Sequence, residues 1–217
     1  MTMQYPLNME LGGRSCVVVG GGRVAQRKTA TLLFAGADVT VIAPQLTERL
    51  AAMAAKEKLR WLPKPYERGC LSALQPFLVF CTTDDSAVNR QAAAEAKSLG
   101  ALVNAAEQPE LSDFTVPASV RRGDVLFTVS TNGRSPALSR QLRQQLEAEF
   151  PASLGPWLEH LSALRSRMKQ ELSTSEARQA FWRRALDKRV LSLVEAGHLD
   201  QAEVEIQHAI TEFGSES

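Results

Sequence analysis

The chain has 217 residues, a length that predicts one large or two small domains. Lys and Arg number 25 against 24 for Asp and Glu, so the formal net charge of +1 provides no overall field that would attract nucleic acid or an anionic membrane. Apolar residues form 44% of the chain, which excludes disorder as the main state. Three widely spaced cysteines exclude a disulfide framework, and every apolar run is far shorter than the roughly 20 residues of a membrane helix. We therefore expect a cytoplasmic protein that binds neither nucleic acid nor membrane.

The first half of the chain alternates between short β-branched runs and longer Ala-rich stretches. This alternation is typical of a parallel sheet with crossover helices. Two predicted helices end at Gly-Ala, where glycine supplies the left-handed cap before the next strand. The predicted strands are residues 15–19, 38–42, 59–62, 77–81 and 101–103, and the predicted helices are residues 24–35 and 86–99. We therefore predict an α/β fold with a doubly wound parallel sheet.

The pattern changes after Asn104. Residues 114–120 and 125–130 are two strand-like runs, which predict an antiparallel hairpin with its turn at Gly-Asp. Ser135 and Pro136 suit the N-cap and first position of a helix that ends near residue 150. Residues 154–213 have helical periodicity throughout. The chain is therefore divided into a dinucleotide-binding domain (1–113), a hairpin and helix segment (114–150) and a small helical domain (151–217).

A glycine cluster directly follows the first predicted strand. Gly20, Gly22 and Ala25 fit the pattern G-x-G-x-x-A, and a predicted helix begins within it. In a Rossmann-like sheet Gly20 allows the tight turn, Gly22 lets the backbone approach a pyrophosphate, and Ala25 permits close packing of helix on sheet. The sequence of strand, loop and helix favours a bound dinucleotide, and a purely structural turn is the alternative.

The second predicted strand lacks the carboxylate that commonly holds the adenosine ribose. Pro44 and Gln45 follow this strand, whereas Asp38 begins it and is expected to be a turn residue. The pattern therefore leaves the choice between NAD and NADP open.

Polar residues also follow the fourth predicted strand. Thr82, Thr83 and Asp84 lie at its carboxyl end, where open α/β sheets bind their ligands. These residues are therefore candidates for the cofactor site. The alternative is that Asp85 or Ser86 only caps the helix that follows.

Asn104 and Glu107 follow the fifth predicted strand. Asn104 is a candidate for cofactor binding, and Glu107 provides a carboxylate where a reacting group beside a nicotinamide ring could lie. For Glu107 the alternative is an ordinary solvated residue in a surface loop.

Several sequence blocks, taken together and in order, resemble the family of precorrin-2 dehydrogenases and sirohydrochlorin ferrochelatases, the N-terminal part of sirohaem synthase. The blocks are VVGGGRVAQRK (18–28), TVIAP (40–44), TTDD (82–85) with Asn89 and Arg90, PELSDF (109–114), Pro117 with Ala118, and VSTNGRSPAL (129–138). They cover about residues 5–150, and the helical remainder is similar only in length and character.

The resemblance implies an enzyme of sirohaem biosynthesis in which NAD⁺ accepts a hydride as precorrin-2 becomes sirohydrochlorin. It also implies a homodimer, with residues 114–150 as the dimerisation segment, and for some members insertion of Fe²⁺ into sirohydrochlorin. By matching motif positions, Arg23, Val24, Pro44 and Gln45 would contact the dinucleotide.

Two positions depart from the family pattern. Glu107 occupies the position of the family's catalytic Asp, which keeps the acid-base function but extends the carboxylate by roughly 1.5 Å, and catalysis is sensitive to misplacement of about 1 Å. Asn132 stands where the family has the first glycine of a Ser-Gly-Gly run. Dehydrogenation is therefore the expected activity, and metal insertion is left open.

The substrate that the resemblance implies is a polycarboxylate, which needs cations and backbone donors around it. Residues 114–150 hold five basic and three acidic side chains. The loop in this segment leads into the N-terminus of a predicted helix, where an anion can bind. Arg140 and Arg143 fit either substrate contact or an ordinary solvated helix face. The predicted substrate-binding residues are Ser130, Thr131, Arg134 and Ser135.

No resident metal site is predicted, because His160, His198 and His208 lack paired spacing. A rival from another class is an NAD-sensing Rossmann regulatory module that binds the dinucleotide without turnover. That rival leaves the basic segment and the loop at residues 130–136 unexplained.

Overall fold

A computed structural model describes residues 4–215, with side chains from residue 4 to residue 211. The chain separates into two compact units, with the boundary between Val116 and Pro117. The first unit contains β1 (Ser15–Val19), α1 (Arg23–Phe34), β2 (Asp38–Ile42), α2 (Glu48–Ala55), β3 (Arg60–Leu62), β4 (Leu78–Cys81), α3 (Ser86–Ser98), β5 (Leu102–Ala105) and a 3-10 turn (Pro109–Leu111). None of the helices in the described part of the chain is long and apolar enough to span a bilayer.

The first unit is built on a parallel sheet with the strand order β3-β2-β1-β4-β5. Side chains of β1 alternate between two apolar clusters, Val17 and Val19 on the α3 face and Cys16 and Val18 on the face covered by α1 and α2. All four are fully buried, as expected for a central strand with both faces covered. The chain reverses its winding between β1 and β4, which opens a crevice at the carboxyl ends of these strands. The predicted doubly wound fold is confirmed.

Two local features differ from the prediction. The helix α2 was not predicted, although Thr47 caps it by accepting a hydrogen bond from the Leu50 N–H at 3.3 Å. The sixth strand begins at Ala118, so the prediction of a strand from residue 114 was wrong at its start. Phe114 instead packs edge-on against Phe80 in the first unit, with ring centroids 5.6 Å apart, and Pro117 has no N–H to donate to a strand.

The second unit combines a two-stranded antiparallel hairpin with helices. Its elements are β6 (Ala118–Arg122), β7 (Val125–Val129), α4 (Pro136–Glu149), α5 (Leu154–Glu171), α6 (Ser175–Ala185), α7 (Lys188–Glu195) and α8 (Leu199–Ser215). The pairing of Arg122 with Val125 leaves Gly123 and Asp124 in the turn, as predicted. Ser135 caps α4 by accepting a hydrogen bond from the Leu138 N–H at 3.2 Å. The segment predicted to be helical throughout is therefore four helices around a common apolar cluster.

Two glycines allow the hairpin turn to pack directly on α5. Gly123 has φ +59°, and a Cβ on Gly155 would lie 2.9 Å from the Gly123 backbone nitrogen and 3.1 Å from the Arg122 carbonyl carbon. Backbone atoms cannot rotate away as a flexible side chain can. The contact between hairpin and helix therefore requires a residue without a side chain at position 155.

Substituting Gly155→Ala should destabilise the protein by about 1–3 kcal/mol, although alanine is the better helix former. The matched control is Gly12→Ala, because a Cβ on Gly12 meets nothing within 4 Å. Urea unfolding of both variants measures the difference. A Gly155→Ala midpoint equal to that of the natural chain would contradict the contact.

Candidate functional site

A cleft of about 670 Å³ opens at the carboxyl ends of the strands in the first unit. It lies where β1 and β4 diverge, the position at which open α/β sheets bind ligands. Ten residues predicted from the sequence to serve the site line this cleft: Gly20, Gly22, Arg23, Val24, Pro44, Gln45, Thr82, Thr83, Asp84 and Glu107. The structure thus brings residues from four separate sequence blocks together.

The first two glycines of the cluster are needed for packing. Gly20 has φ +120°, and a Cβ on it would lie 2.7 Å from the Thr82 Oγ1 atom. A Cβ on Gly21 would lie only 1.9 Å from the Gln45 carbonyl oxygen. Side chains at these positions would push apart the loops that follow β1, β2 and β4.

Gly22 differs from its neighbours, because a Cβ on it would meet nothing within 4 Å. It is the N-cap of α1 and provides no side-chain hydrogen bond to the helix. The N–H groups of Arg23 and Val24 in the first turn have no partner within the helix, and the helix dipole adds positive potential there. The open space and the uncapped helix end fit the pyrophosphate of a dinucleotide.

The loop between β2 and α2 is fastened to the glycine cluster. The Thr47 N–H donates to the Gly21 oxygen at 3.0 Å, and the Thr47 Oγ1 hydroxyl donates to Gln26 Oε1 at 2.7 Å. Pro44 and Gln45 are exposed on this loop, whereas Asp38 is at the opposite end of β2. The described cleft thus has no carboxylate at the end of β2.

The loop after β4 combines structural and exposed polar groups. Thr82 Oγ1 donates to the Val19 oxygen at 2.9 Å, and Thr83 exchanges hydrogen bonds with the buried Asn89 amide. Asp85 caps α3 by accepting from the backbone N–H groups of its first turn. Asp84 is exposed in the cleft. Asp85 therefore caps the helix, as the alternative predicted, while Asp84 remains a candidate for the cofactor site.

The segment after β5 is held against that edge strand. Asp113 accepts a hydrogen bond from the Val103 N–H at 2.9 Å and forms an ion pair with Lys97 at 2.9 Å. The Asn104 Nδ2 amide donates to the Phe114 oxygen at 2.9 Å. These contacts fix both ends of the short loop that carries Glu107, whose side chain is exposed in the cleft.

Two predicted cofactor residues do not line the cleft. Ala25 is fully buried in the cluster beneath α1, where its small methyl group allows the helix to approach the sheet. Asn104 is 8% exposed and its amide is used within the fold. Both residues therefore help to hold the elements that form the cleft, and neither side chain faces it.

The predicted substrate loop belongs to the second unit. Thr131 Oγ1 accepts a hydrogen bond from the Ser135 N–H at 3.2 Å, and the Ser130 Oγ accepts one from the Asn132 N–H at 3.3 Å. Asn132 has φ +52°, a conformation that asparagine tolerates better than most residues and that explains how it can replace a glycine. Arg134 is exposed on the same turn. The four predicted residues therefore form one compact loop at the N-terminus of α4.

Several residues that line the cleft were not predicted from the sequence. Gly21 was hidden within the glycine cluster, although its close contact with Gln45 shows that it is as constrained as Gly20. Thr47, Pro65 and Tyr66 also line the cleft. For Thr47 its position before an Ala-rich run was an available N-cap signal, whereas Tyr66 lies in an irregular connection with no periodic pattern.

Among the described residues, no group of three or more His, Cys, Asp or Glu side chains could hold a metal ion.

Three family models match successive parts of the chain. A family model described as "Putative NAD(P)-binding" matches residues 7–118, which is more than half of the chain. The chain belongs to this NAD(P)-binding family. A model of the sirohaem biosynthesis protein central region matches residues 128–149, and one of the sirohaem synthase dimerisation region matches residues 153–210. The predicted resemblance to the sirohaem synthase family is thereby confirmed.

Individual relatives align with nearly the whole of this chain. A siroheme synthase of Nitrosococcus oceani is 38% identical over 209 residues, covering 96% of this chain and 44% of that protein. Siroheme synthase 1 of Klebsiella pneumoniae is 38% identical over 206 residues, covering 94% of this chain and 43% of that protein. The chain therefore spans less than half the length of these relatives. A solved structure named "SirC, precorrin-2 dehydrogenase" has the same fold, with a TM-score of 0.75 and 24% identity over 98% of this chain and all of that one.

The neighbouring glycines 21 and 22 provide a matched pair of substitutions. Gly21→Ala should destabilise the protein by about 3 kcal/mol or more, because its Cβ collides with backbone. Gly22→Ala should leave stability within about 1 kcal/mol of the natural chain but weaken dinucleotide binding about tenfold or more, because its Cβ enters the open cradle. Thermal unfolding and NAD⁺ titration measure the two effects. Equal NAD⁺ affinity in Gly22→Ala and the natural chain would contradict the assignment of the cradle.

Proposed function

We propose that this chain oxidises precorrin-2 to sirohydrochlorin with NAD⁺ as the hydride acceptor, a step of sirohaem biosynthesis. One observation carries the proposal: the cleft combines an uncapped helix end beside an open glycine position with the exposed carboxylate of Glu107. Membership of the NAD(P)-binding family and the matches to the two sirohaem synthase segments support the proposed substrate class.

In this proposal the glycine cluster binds the cofactor. The N–H groups of Arg23 and Val24 donate hydrogen bonds to the pyrophosphate at the N-terminus of α1. Pro44 and Gln45 line the side of the cleft expected for the adenosine. With no carboxylate at the end of β2 to choose the cofactor, NAD⁺ and NADP⁺ should be compared directly.

Glu107 is proposed as the group that accepts a proton from the substrate while the hydride leaves for the cofactor. When bound, NAD⁺ supplies the hydride acceptor, so the balanced products are sirohydrochlorin, NADH and one proton. Arg134 and the backbone donors of the loop at residues 130–135 are proposed to bind the carboxylates of the substrate. The hydrogen bonds of Asp113 and Asn104 limit the movement of the loop that carries Glu107.

The proposal is tested by incubating the purified chain with precorrin-2 and NAD⁺ and following NADH absorbance with sirohydrochlorin formation. Glu107→Gln should lower kcat about 100- to 10,000-fold, because the amide cannot accept the proton. Glu107→Asp, which restores the family residue, is the control and should keep turnover. Turnover by Glu107→Asp with none by the natural chain would show that glutamate at this position has disabled the reaction.

If the chain is instead the NAD-sensing module, NAD⁺ should bind in the same assay but no NADH should form with precorrin-2.

Iron insertion, the second reaction that the resemblance implies, would use Fe²⁺ as a substrate. Anaerobic incubation of the chain with sirohydrochlorin and Fe²⁺ tests this reaction, and a rate of iron insertion equal to the uncatalysed background would exclude it.

We also assign the reaction to the cytoplasm. The free thiols of Cys16, Cys70 and Cys81 support this assignment, because cysteines stay reduced there.

We also propose that the chain forms a homodimer through residues 114–150. The support is the face of α4 on which Leu138 is 49% and Leu142 is 38% exposed, one turn apart. No side chain of α4, all of which is described, is buried in the single chain. The family model described as the dimerisation region covers residues 153–210 instead, so the two segments need separate tests.

Substituting Leu138→Glu together with Leu142→Glu should convert the dimer to a monomer, because the charges would have to be buried at the interface. Light scattering during size-exclusion chromatography measures the mass. Leu191→Glu is the control in the helical segment, where Leu191 is 47% exposed on α7. Dissociation by Leu191→Glu with an intact dimer in the α4 variant would assign the interface to residues 153–210.

A further inference from the structure

The connection between β3 and β4 forms one wall of the cleft without regular secondary structure. Residues 63–77, all within the described chain, contain neither helix nor strand. Pro65 and Tyr66 of this connection line the cleft. Tyr66 also belongs to the apolar cluster on the α3 face of the sheet, together with Val19 and Cys81 at the ends of β1 and β4. The Tyr66 ring therefore lies between the sheet and the space proposed for the dinucleotide.

A carboxylate on α3 holds this wall in position. The Tyr66 hydroxyl donates to Glu95 Oε2 at 2.5 Å. The same carboxylate accepts hydrogen bonds from the Gly69 N–H at 2.9 Å and from the Leu71 N–H at 3.0 Å. One side chain thus fixes one ring and two backbone groups of the connection at points 24 to 29 residues away in sequence.

The protonation states of the pair maintain this arrangement. Burial, and then the contact with Glu95, raise the pKa of Tyr66, so its hydroxyl remains a donor. Burial alone would raise the pKa of Glu95, but the hydrogen bonds from Tyr66, Gly69, Leu71 and Ser72 outweigh it and lower that pKa. Glu95 is therefore an ionised acceptor near neutral pH, where hydrogen bonds to a charged group are strong.

Packing alone does not require this polar anchor. Tyr66 is only 8% exposed, so phenylalanine would fill the same apolar site without the need for a buried hydroxyl partner. The far end of the connection is fastened separately, since the Ser15 Oγ donates to the Leu74 oxygen at 3.0 Å. Ser15 begins β1, at the end of the strand remote from Gly20. The Tyr66 anchor is thus the one beside the cleft.

We propose that Tyr66 contacts the bound dinucleotide as the wall of the cleft and that Glu95 is a positioning residue that holds its ring for that contact. The inference rests on the proposed function, because it assumes that the cleft binds a dinucleotide. A ring that is already immobilised loses no further conformational entropy on binding. Loss of the anchor should therefore weaken cofactor binding and leave the chemical step almost unchanged.

The test compares Tyr66→Phe and Glu95→Gln in the full chain, by NAD⁺ titration and by steady-state kinetics with precorrin-2. Each variant should raise the dissociation constant for NAD⁺ about 2- to 10-fold, the range expected for one newly mobile side chain. At saturating NAD⁺, kcat should stay within about twofold of the natural chain. The double variant should weaken NAD⁺ binding by less than the product of the two single effects, because both substitutions act on the contact between Tyr66 and Glu95.

Ser15→Ala is the matched control, because it removes a hydrogen bond to the same connection at the end away from the cleft. It should lower the unfolding midpoint and leave NAD⁺ affinity unchanged. All titrations are made below the unfolding midpoint of each variant, so a loss of stability is not mistaken for a loss of affinity.

The outcomes separate this inference from the function on which it rests. A natural chain that binds neither NAD⁺ nor NADP⁺ would overturn both. A natural chain that binds and turns over, with Tyr66→Phe and Glu95→Gln variants of unchanged NAD⁺ affinity, would overturn the inference alone. A fall in NAD⁺ affinity in Ser15→Ala equal to that in the two variants would also overturn it, since a general loosening of the connection would then explain the effect.

Discussion

The cleft depends on the close approach of three backbone segments at Gly20 and Gly21. The Gly20 N–H donates to the Ile42 oxygen at the end of β2, and the Thr82 N–H donates to the Val19 oxygen at the end of β1. Gly20 touches Thr82 and Gly21 touches Gln45 at distances that leave no room for a Cβ. Because these contacts draw the three loops together, the N-terminus of α1 opens into the space between them.

The polar residues around the cleft divide into those that build it and those that face it. Asp85, Asn89 and Asp113 use their side chains within the fold, where they cap α3, hold Thr83 and fasten the segment after β5. Asp84 and Glu107 are exposed towards the cleft. The hydrogen bonds behind them limit the freedom of the loops that carry Asp84 and Glu107.

The pattern of apolar residues along the sequence predicted most of the fold but only part of the cleft. The bounds of β1 and β2 were predicted correctly because each is a β-branched run bounded by turn residues, and the glycine cluster followed from its position after β1. The start of β6 was wrong because Phe114 packs against Phe80, a contact that periodicity does not contain. Tyr66 was missed because its role depends on Glu95, 29 residues away on another element. Pairings between distant residues carry no local signal.

We expect a dinucleotide to lie across the ends of β1 and β4, with its pyrophosphate at the N-terminus of α1. A crystal structure of the chain with NAD⁺ would test this placement. It should show pyrophosphate oxygens hydrogen-bonded to the N–H groups of Arg23 and Val24, with the nicotinamide ring on the side of Glu107. A dinucleotide bound elsewhere, or one whose nicotinamide ring points away from Glu107, would contradict this placement.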